Sequence, residues 1–208
     1  MPTLRLKILT EYVPFLKANS RTCMSTNSFY TVEELKTLGF KSVGDNVSIS
    51  KKASFYGADE ISVGNNVRID DFCILSGKIS LGSNIHISAY CALYGGTEGI
   101  ILHDYAGISA RSTIYAISDD FGGEHMTGVM VDDEYRNVIS GTVVLEKYVQ
   151  IGANCVIFPN LIIKEGAVVG AMSLVNKSLD SWGIYAGIPC KLIKPRKKDL
   201  LNFLRNDY

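Results

Sequence analysis

An apolar residue returns at every sixth position along most of this chain, and few folds can accommodate that spacing. The series runs Val43, Ile49, Phe55, then Val63, Ile69, Leu75, then Leu81, Ile87, Leu93, then Leu102, Ile108, Ile114, and resumes at Leu145, Ile151, Ile157, Ile163, Val169 and Val175. A helix repeats its apolar residues every three to four positions and a heptad at seven, so neither fits. Six residues make one short strand and its turn. A second set, four positions after the first, is small or compact: Val47, Ala53, Val67, Cys73, Ile85, Cys91, Ala106, Ser112, Val149, Cys155, Ala167 and Ser173. Both sets are expected to point inward. Val63-Gly64-Asn65-Asn66-Val67 and Leu81-Gly82-Ser83-Asn84-Ile85 lie eighteen residues apart, so three strands make one coil and the cross-section is a triangle. Gly44, Gly64, Gly82, Gly152 and Gly170 each follow an aliphatic residue, where a corner can use glycine's freedom in φ.

The expected architecture is therefore mainly β, a parallel β-helix over residues 43–182 with a helical cap over 1–42 and an extension over 183–208. Thr31 and Glu34 form a capping box that starts a helix over Val32 to Leu38, and Gly39 ends it. Leu4, Ile8 and Tyr12 recur at helical spacing until Pro14. Leu200, Leu201 and Leu204 share one face of a short C-terminal helix.

Charge and cysteine usage narrow the function classes. Lys and Arg number 21 and Asp and Glu 21, which leaves nothing to attract nucleic acid or an anionic membrane over long range. No apolar stretch approaches the roughly twenty residues of a membrane span. Arg5, Lys7 and Glu11 stand where a signal peptide needs an apolar core, so the expected location is cytoplasmic. Cys73, Cys91 and Cys155 occupy the inward position and read as inert core residues; Cys23 and Cys190 lie outside the pattern.

The repeat breaks twice, at Gly95–Gly99 and over 119–142, and the longer break is expected to carry function. It holds Asp119, Asp120, Phe121, His125 and Tyr135. His86, the last residue of its hexad, falls outside the inward pattern and lies before the insertion at Gly95, and His103 replaces a corner glycine. A basic run, Lys194 to Lys198, follows the last coil.

Taken together, the repeat units, Gly166-Ala167-Val168-Val169-Gly170-Ala171, Val175-Asn176-Lys177 and Ala186-Gly187-Ile188-Pro189-Cys190-Lys191 resemble the hexapeptide-repeat acyltransferases with a left-handed parallel β-helix. Within that family the chain is similar to O-acetyltransferases of sugars and surface polysaccharides, relatives of galactoside and maltose acetyltransferase. The resemblance implies a homotrimer with active sites between subunits and acetyl-CoA as donor. It implies that Ala153 and Ala171 contact the pantetheine arm, and that Asn176, Lys177, Lys191 and Lys194 meet the phosphates and adenosine. Where the galactoside enzymes carry a catalytic histidine at the start of the loop, this chain has Asp119.

The expected reaction is direct transfer of acetyl to a sugar hydroxyl, with His86 as general base and Asp119 or Asp120 of a neighbouring subunit orienting it; His125 is the second candidate base. Tyr90, Tyr94, Phe121 and Tyr135 are candidates to stack on the sugar ring. An N-acetyltransferase acting on a nucleotide-linked amino sugar is the alternative, because an amine that enters neutral needs less help from a base. No metal is expected: His86, His103 and His125 sit at three phases of the repeat, which disfavours a zinc site like that of β-helical carbonic anhydrases. A non-catalytic scaffold is the remaining class.

Overall fold

A computed structural model describes residues 28–205, and the side chains of 204 and 205 lie outside that description. Leu4, Ile8, Tyr12 and Cys23 also fall outside the described residues, as does the side chain of Leu204.

The strands stack in register into three faces of a prism. On one face Val43 pairs with Val63, Val63 with Leu81, Leu81 with Leu102, Leu102 with Leu145 and Leu145 with Ile163, every pair parallel. The second face carries Ile49, Ile69, Ile87, Ile108, Ile151 and Val169 in the same way, and the third Phe55, Leu75, Leu93, Ile114, Ile157 and Val175. The six-residue period thus appears as three columns of side chains meeting along the prism axis. The second inward set meets them there: Val67, Cys73, Ile85, Cys91, Ala106, Val149, Cys155 and Ala167 are all buried to within 2% of complete. Ser112 and Ser173 in that set donate to Gly152 O at 2.8 Å and Gly170 O at 2.7 Å, so their hydroxyls enter the core hydrogen-bonded.

The corners work differently from the expectation for glycine. Gly44, Gly64, Gly82, Gly152 and Gly170 do not have positive φ; the left-handed conformation falls two residues later, at Asn46, Asn66, Asn84, Asn154 and Met172. The glycines are needed for close stacking instead. A Cβ on Gly64 would stand 2.5 Å from Gly82 O, and one on Gly152 would stand 2.5 Å from Ala171 N. The side chains at the left-handed positions form ladders between coils. Asn46 donates to Asn66 at 2.7 Å and Asn66 to Asn84 at 3.1 Å, and further along that corner Tyr105 stacks on Tyr148 at 5.4 Å.

The helix Val32–Thr37 carries both hydrogen bonds of the capping box and packs Leu35 against the first coil. At the other end, Gly183–Gly187 adds a last strand to the second face and turns back antiparallel through Cys190–Pro195. A 3-10 helix, Asp199–Arg205, follows where a helical turn with Leu200 and Leu201 was expected. Arg196 points inward rather than to solvent: it donates to Tyr148 O at 2.8 Å and Gly166 O at 2.9 Å, fastening the tail to the corner. Cys73, Cys91, Cys155 and Cys190 are buried free thiols, and burial pushes Cys73 up to about 12. Among the described residues no helix is long and apolar enough to cross a membrane.

Candidate active site at the root of the long loop

The chain leaves the prism after Thr113–Tyr115 and comes back beside its own exit. Ile117–Asp119 pairs antiparallel with Val138–Ser140, and Gly141 N donates to Ala116 O at 2.9 Å. The break in the repeat is therefore a two-stranded arm whose tip carries the exposed side chains of Phe121, Met126, Val129 and Met130. Its pairing places Asp119 opposite Val138 and brings Arg136 to the same spot.

Asp119 accepts from Arg136 Nη2 at 3.0 Å through one oxygen and from Gly128 N at 3.0 Å through the other. The Arg136 hydrogen bond first, then that of Gly128, holds its carboxyl below the usual aspartate range. Arg136 also reaches Asp133 at 3.3 Å, yet its Nε is buried and donates to nothing among the described residues. Asp120 has a local task. It accepts from Gly122 N at 2.8 Å and Asn137 Nδ2 at 2.9 Å, an arrangement that builds the turn and, led by the Gly122 bond, lowers its pKa.

A cavity of about 560 Å³ opens between the arm and the third face of the prism. Its polar end is Ser118, Asp119 and Arg136; Tyr94, Tyr115 and Phe158 line the prism side, with Phe121, Val129 and Val138 on the arm. Tyr94 and Tyr115 stack at 5.3 Å with only 16° between their planes, so successive coils present one flat aromatic wall. Of the four aromatic residues proposed from the sequence, Tyr94 and Phe121 line this cavity. Tyr90 belongs to a different corner, stacked on Phe72 at 4.9 Å, and Tyr135 ends a short turn over Asp133–Tyr135.

His86 lies on the second face, apart from Asp119 within one chain. Its Nε2 is 2.7 Å from Asp70 Oδ2, and Arg68 Nε donates to the other Asp70 oxygen at 2.7 Å. Arg68 and His86 are in register on neighbouring coils, which sets up this cluster. His125 and His103 are exposed, the first on the arm and the second at a corner. Ala153 and Ala171 are neighbours on successive coils, with Met172 N donating to Ala153 O at 2.8 Å. Asn176 and Lys177 follow Leu174–Val175, and Lys191 and Lys194 lie on the returning strand; all four are exposed. Among the described residues no three His, Cys, Asp or Glu side chains converge as a metal site would require.

Sequence reasoning missed Arg136, Tyr115, Phe158 and Asp70. The period could have found Tyr115, which stands one coil beyond Tyr94, and Asp70, two residues past the position that pairs with His86. Arg136 depends on how the arm folds back, which the repeat does not encode.

No family model matches the sequence. A dTDP-4-amino-4,6-dideoxy-D-glucose acyltransferase of Escherichia coli is 46% identical over 170 residues, covering 81% of this chain and 88% of that protein. The crystal structure of AntD, an N-acyltransferase from Bacillus cereus, in complex with dTDP and 3-hydroxybutyryl-CoA superposes with a TM-score of 0.85 at 56% identity, covering 86% of this chain and 95% of that one. A variant of AntD with one serine replaced by alanine has been solved with dTDP-4-amino-4,6-dideoxyglucose and coenzyme A, and variants with one aspartate replaced by asparagine or alanine have been solved with dTDP and coenzyme A. A hexapeptide-repeat acetyltransferase of Vibrio cholerae, VCA0836, is 18% identical with a TM-score of 0.53 and shares the fold.

Proposed function

Given that the chain belongs to the hexapeptide-repeat acyltransferases, CoA-dependent enzymes on a left-handed β-helix, we propose that it acylates the amine of a dTDP-linked 4-amino-4,6-dideoxy sugar. The sequence alone favours a sugar hydroxyl as acceptor, with the amine as alternative; the near-full-length relatives favour the amine. The observation that carries the reading is Asp119. A hydroxyl must lose its proton as it attacks a thioester, which calls for a group of near-neutral pKa. Asp119 stands where the loop histidine of the hydroxyl-directed relatives was expected, and Arg136 keeps it ionised and weakly basic. It is suited to accept an N–H from an amine and to orient the nitrogen lone pair.

The amine nitrogen attacks the thioester carbonyl, the C–N bond forms as the C–S bond breaks, and CoA leaves as the thiol after gaining the proton that the amine loses. His86 is the proposed carrier of that proton, contributed across a subunit boundary and held by Asp70. His125, on the exposed arm, is the reserve candidate. Ala153, Ala171, Asn176, Lys177, Lys191 and Lys194 are the proposed acyl-CoA contacts, the two small alanines for the pantetheine arm, and the Asn176 amide with the three lysine cations for the phosphates and adenosine. A homotrimer is proposed in support: Phe121, Val129 and Met130 are at least 80% exposed in one chain and need cover.

Thiol release from acetyl-CoA and 3-hydroxybutyryl-CoA, with the amide identified by mass spectrometry, tests the reading. Turnover with a dTDP-linked amino sugar and none with hydroxyl-only nucleotide sugars is expected. The opposite pattern returns the hydroxyl acceptor. His86→Ala in an intact trimer should lose about 10²-fold in kcat; unchanged activity removes His86 from the mechanism.

A further inference from the structure

We infer that the cavity at the loop root reads three adjacent carbons of the sugar, and that its aromatic wall selects an acceptor bearing a methyl group in place of the 6-hydroxymethyl group. This rests on the amino-sugar reading above. On a 4-amino-4,6-dideoxyhexose the amine at C4 is flanked by a hydroxyl at C3 and a methyl at C5. One cavity is lined by three matching groups: the ionised carboxylate of Asp119, the guanidinium of Arg136, whose buried Nε–H has no partner among the described residues, and the apolar surface of Tyr94, Tyr115 and Phe158.

Each match has a physical reason. The carboxylate takes an N–H of the amine. A buried donor with no acceptor is a recurrent sign of an absent partner, and a vicinal hydroxyl beside the amine is the acceptor nearest to hand. The stacked faces of Tyr94 and Tyr115, with Phe158, Ile117 and Val138 around them, form a surface of carbon against which a methyl group fits. A 6-hydroxyl held against the ring faces would lose water and meet carbon, which gives it no hydrogen bond. Pockets of this kind reject an added hydroxyl by about 10²-fold.

The experiment compares kcat/KM for three dTDP sugars: the 4-amino-4,6-dideoxyhexose, its analogue retaining the 6-hydroxyl, and its 3-deoxy analogue. The wild-type enzyme should prefer the first over the second by about 10²-fold. Phe158→Ser and Val138→Ser, each adding a hydroxyl to the wall, should narrow that ratio to about tenfold or less. Phe158 and Val138 are exposed in the single chain, so both variants should fold. Arg136→Lys keeps a cation beside Asp119 but has no Nε–H. It should lose the preference for the 3-hydroxyl over the 3-deoxy sugar, which in wild type should be roughly tenfold or more. Equal kcat/KM for the 6-hydroxy and 6-deoxy sugars in wild type overturns the wall's role. A preference that neither serine variant narrows also overturns it, and a 3-hydroxyl preference that survives in Arg136→Lys overturns that of Nε. If no nucleotide-linked amino sugar is acylated while hydroxyl sugars are, the proposed function fails and takes this inference with it.

Discussion

Along the coils, polar side chains that turn inward find partners close by: the hydroxyl of Ser112 donates to Gly152 O, that of Ser173 to Gly170 O three residues before it, and that of Ser50 to the Asp71 carboxylate. At the loop root a buried guanidinium nitrogen has no such partner among the described residues, and an ionised aspartate shares a cavity with aromatic rings. The coils repeat, so each one supplies hydrogen-bond partners to the next at fixed height. The arm interrupts the repeat, and there the chain can hold groups that the coils do not answer.

The sharpest way to break that comparison uses two neighbours on one strand. Leu93 points inward and is completely buried, whereas Tyr94 points out into the cavity wall. Leu93→Ala should cost about 2–5 kcal/mol in denaturant unfolding, while Tyr94→Ala should cost about 1 kcal/mol, mostly its stacking on Tyr115, and lower kcat/KM instead. Equal losses of stability would mean that the prism side of the cavity wall is part of the core. A somewhat smaller effect is expected of Asp119→Asn, about 10²-fold in kcat/KM or roughly 2.7 kcal/mol, with the coils' unfolding transition unmoved. The smallest concerns acid. Asp119 and Asp120 have native pKa values below the ordinary 3.8, so between those values the unfolded chain binds more protons than the native one. Their contribution is complete above the ordinary value and is lost as pH falls through the lowered ones. Limited proteolysis should therefore open the arm below about pH 3.8 before the coils unfold, and Asp120→Asn should weaken that pH dependence.

Most of the fold is legible in the sequence because one side chain per hexad has a single place to go. Ile69, Ile87 and Ile108 could be placed on one column from their spacing alone, and the three cysteines Cys73, Cys91 and Cys155 removed from the chemistry. The glycines were legible as special but not for the right reason. Backbone proximity between coils, rather than φ, excludes a side chain at Gly64 and Gly152. The candidate site was half legible. Asp119 and Phe121 stand in the longer break and Tyr94 directly before the shorter one, where the loss of period announces them. Arg136 arrives from seventeen residues away through the pairing of the arm, a register that local composition does not reveal.

The hydrogen bond from Gly141 N to Ala116 O means that the prism meets the arm at two points one bond apart. Seen from the coils, the segment between them has no length. It could be shortened, extended or exchanged for another without moving any strand of the stack, much as a tool is changed in a fixed holder. A lineage or an engineer could therefore exchange the arm by splicing at Ala116 and Gly141, leaving untouched the later coils and the acyl-CoA contacts proposed there.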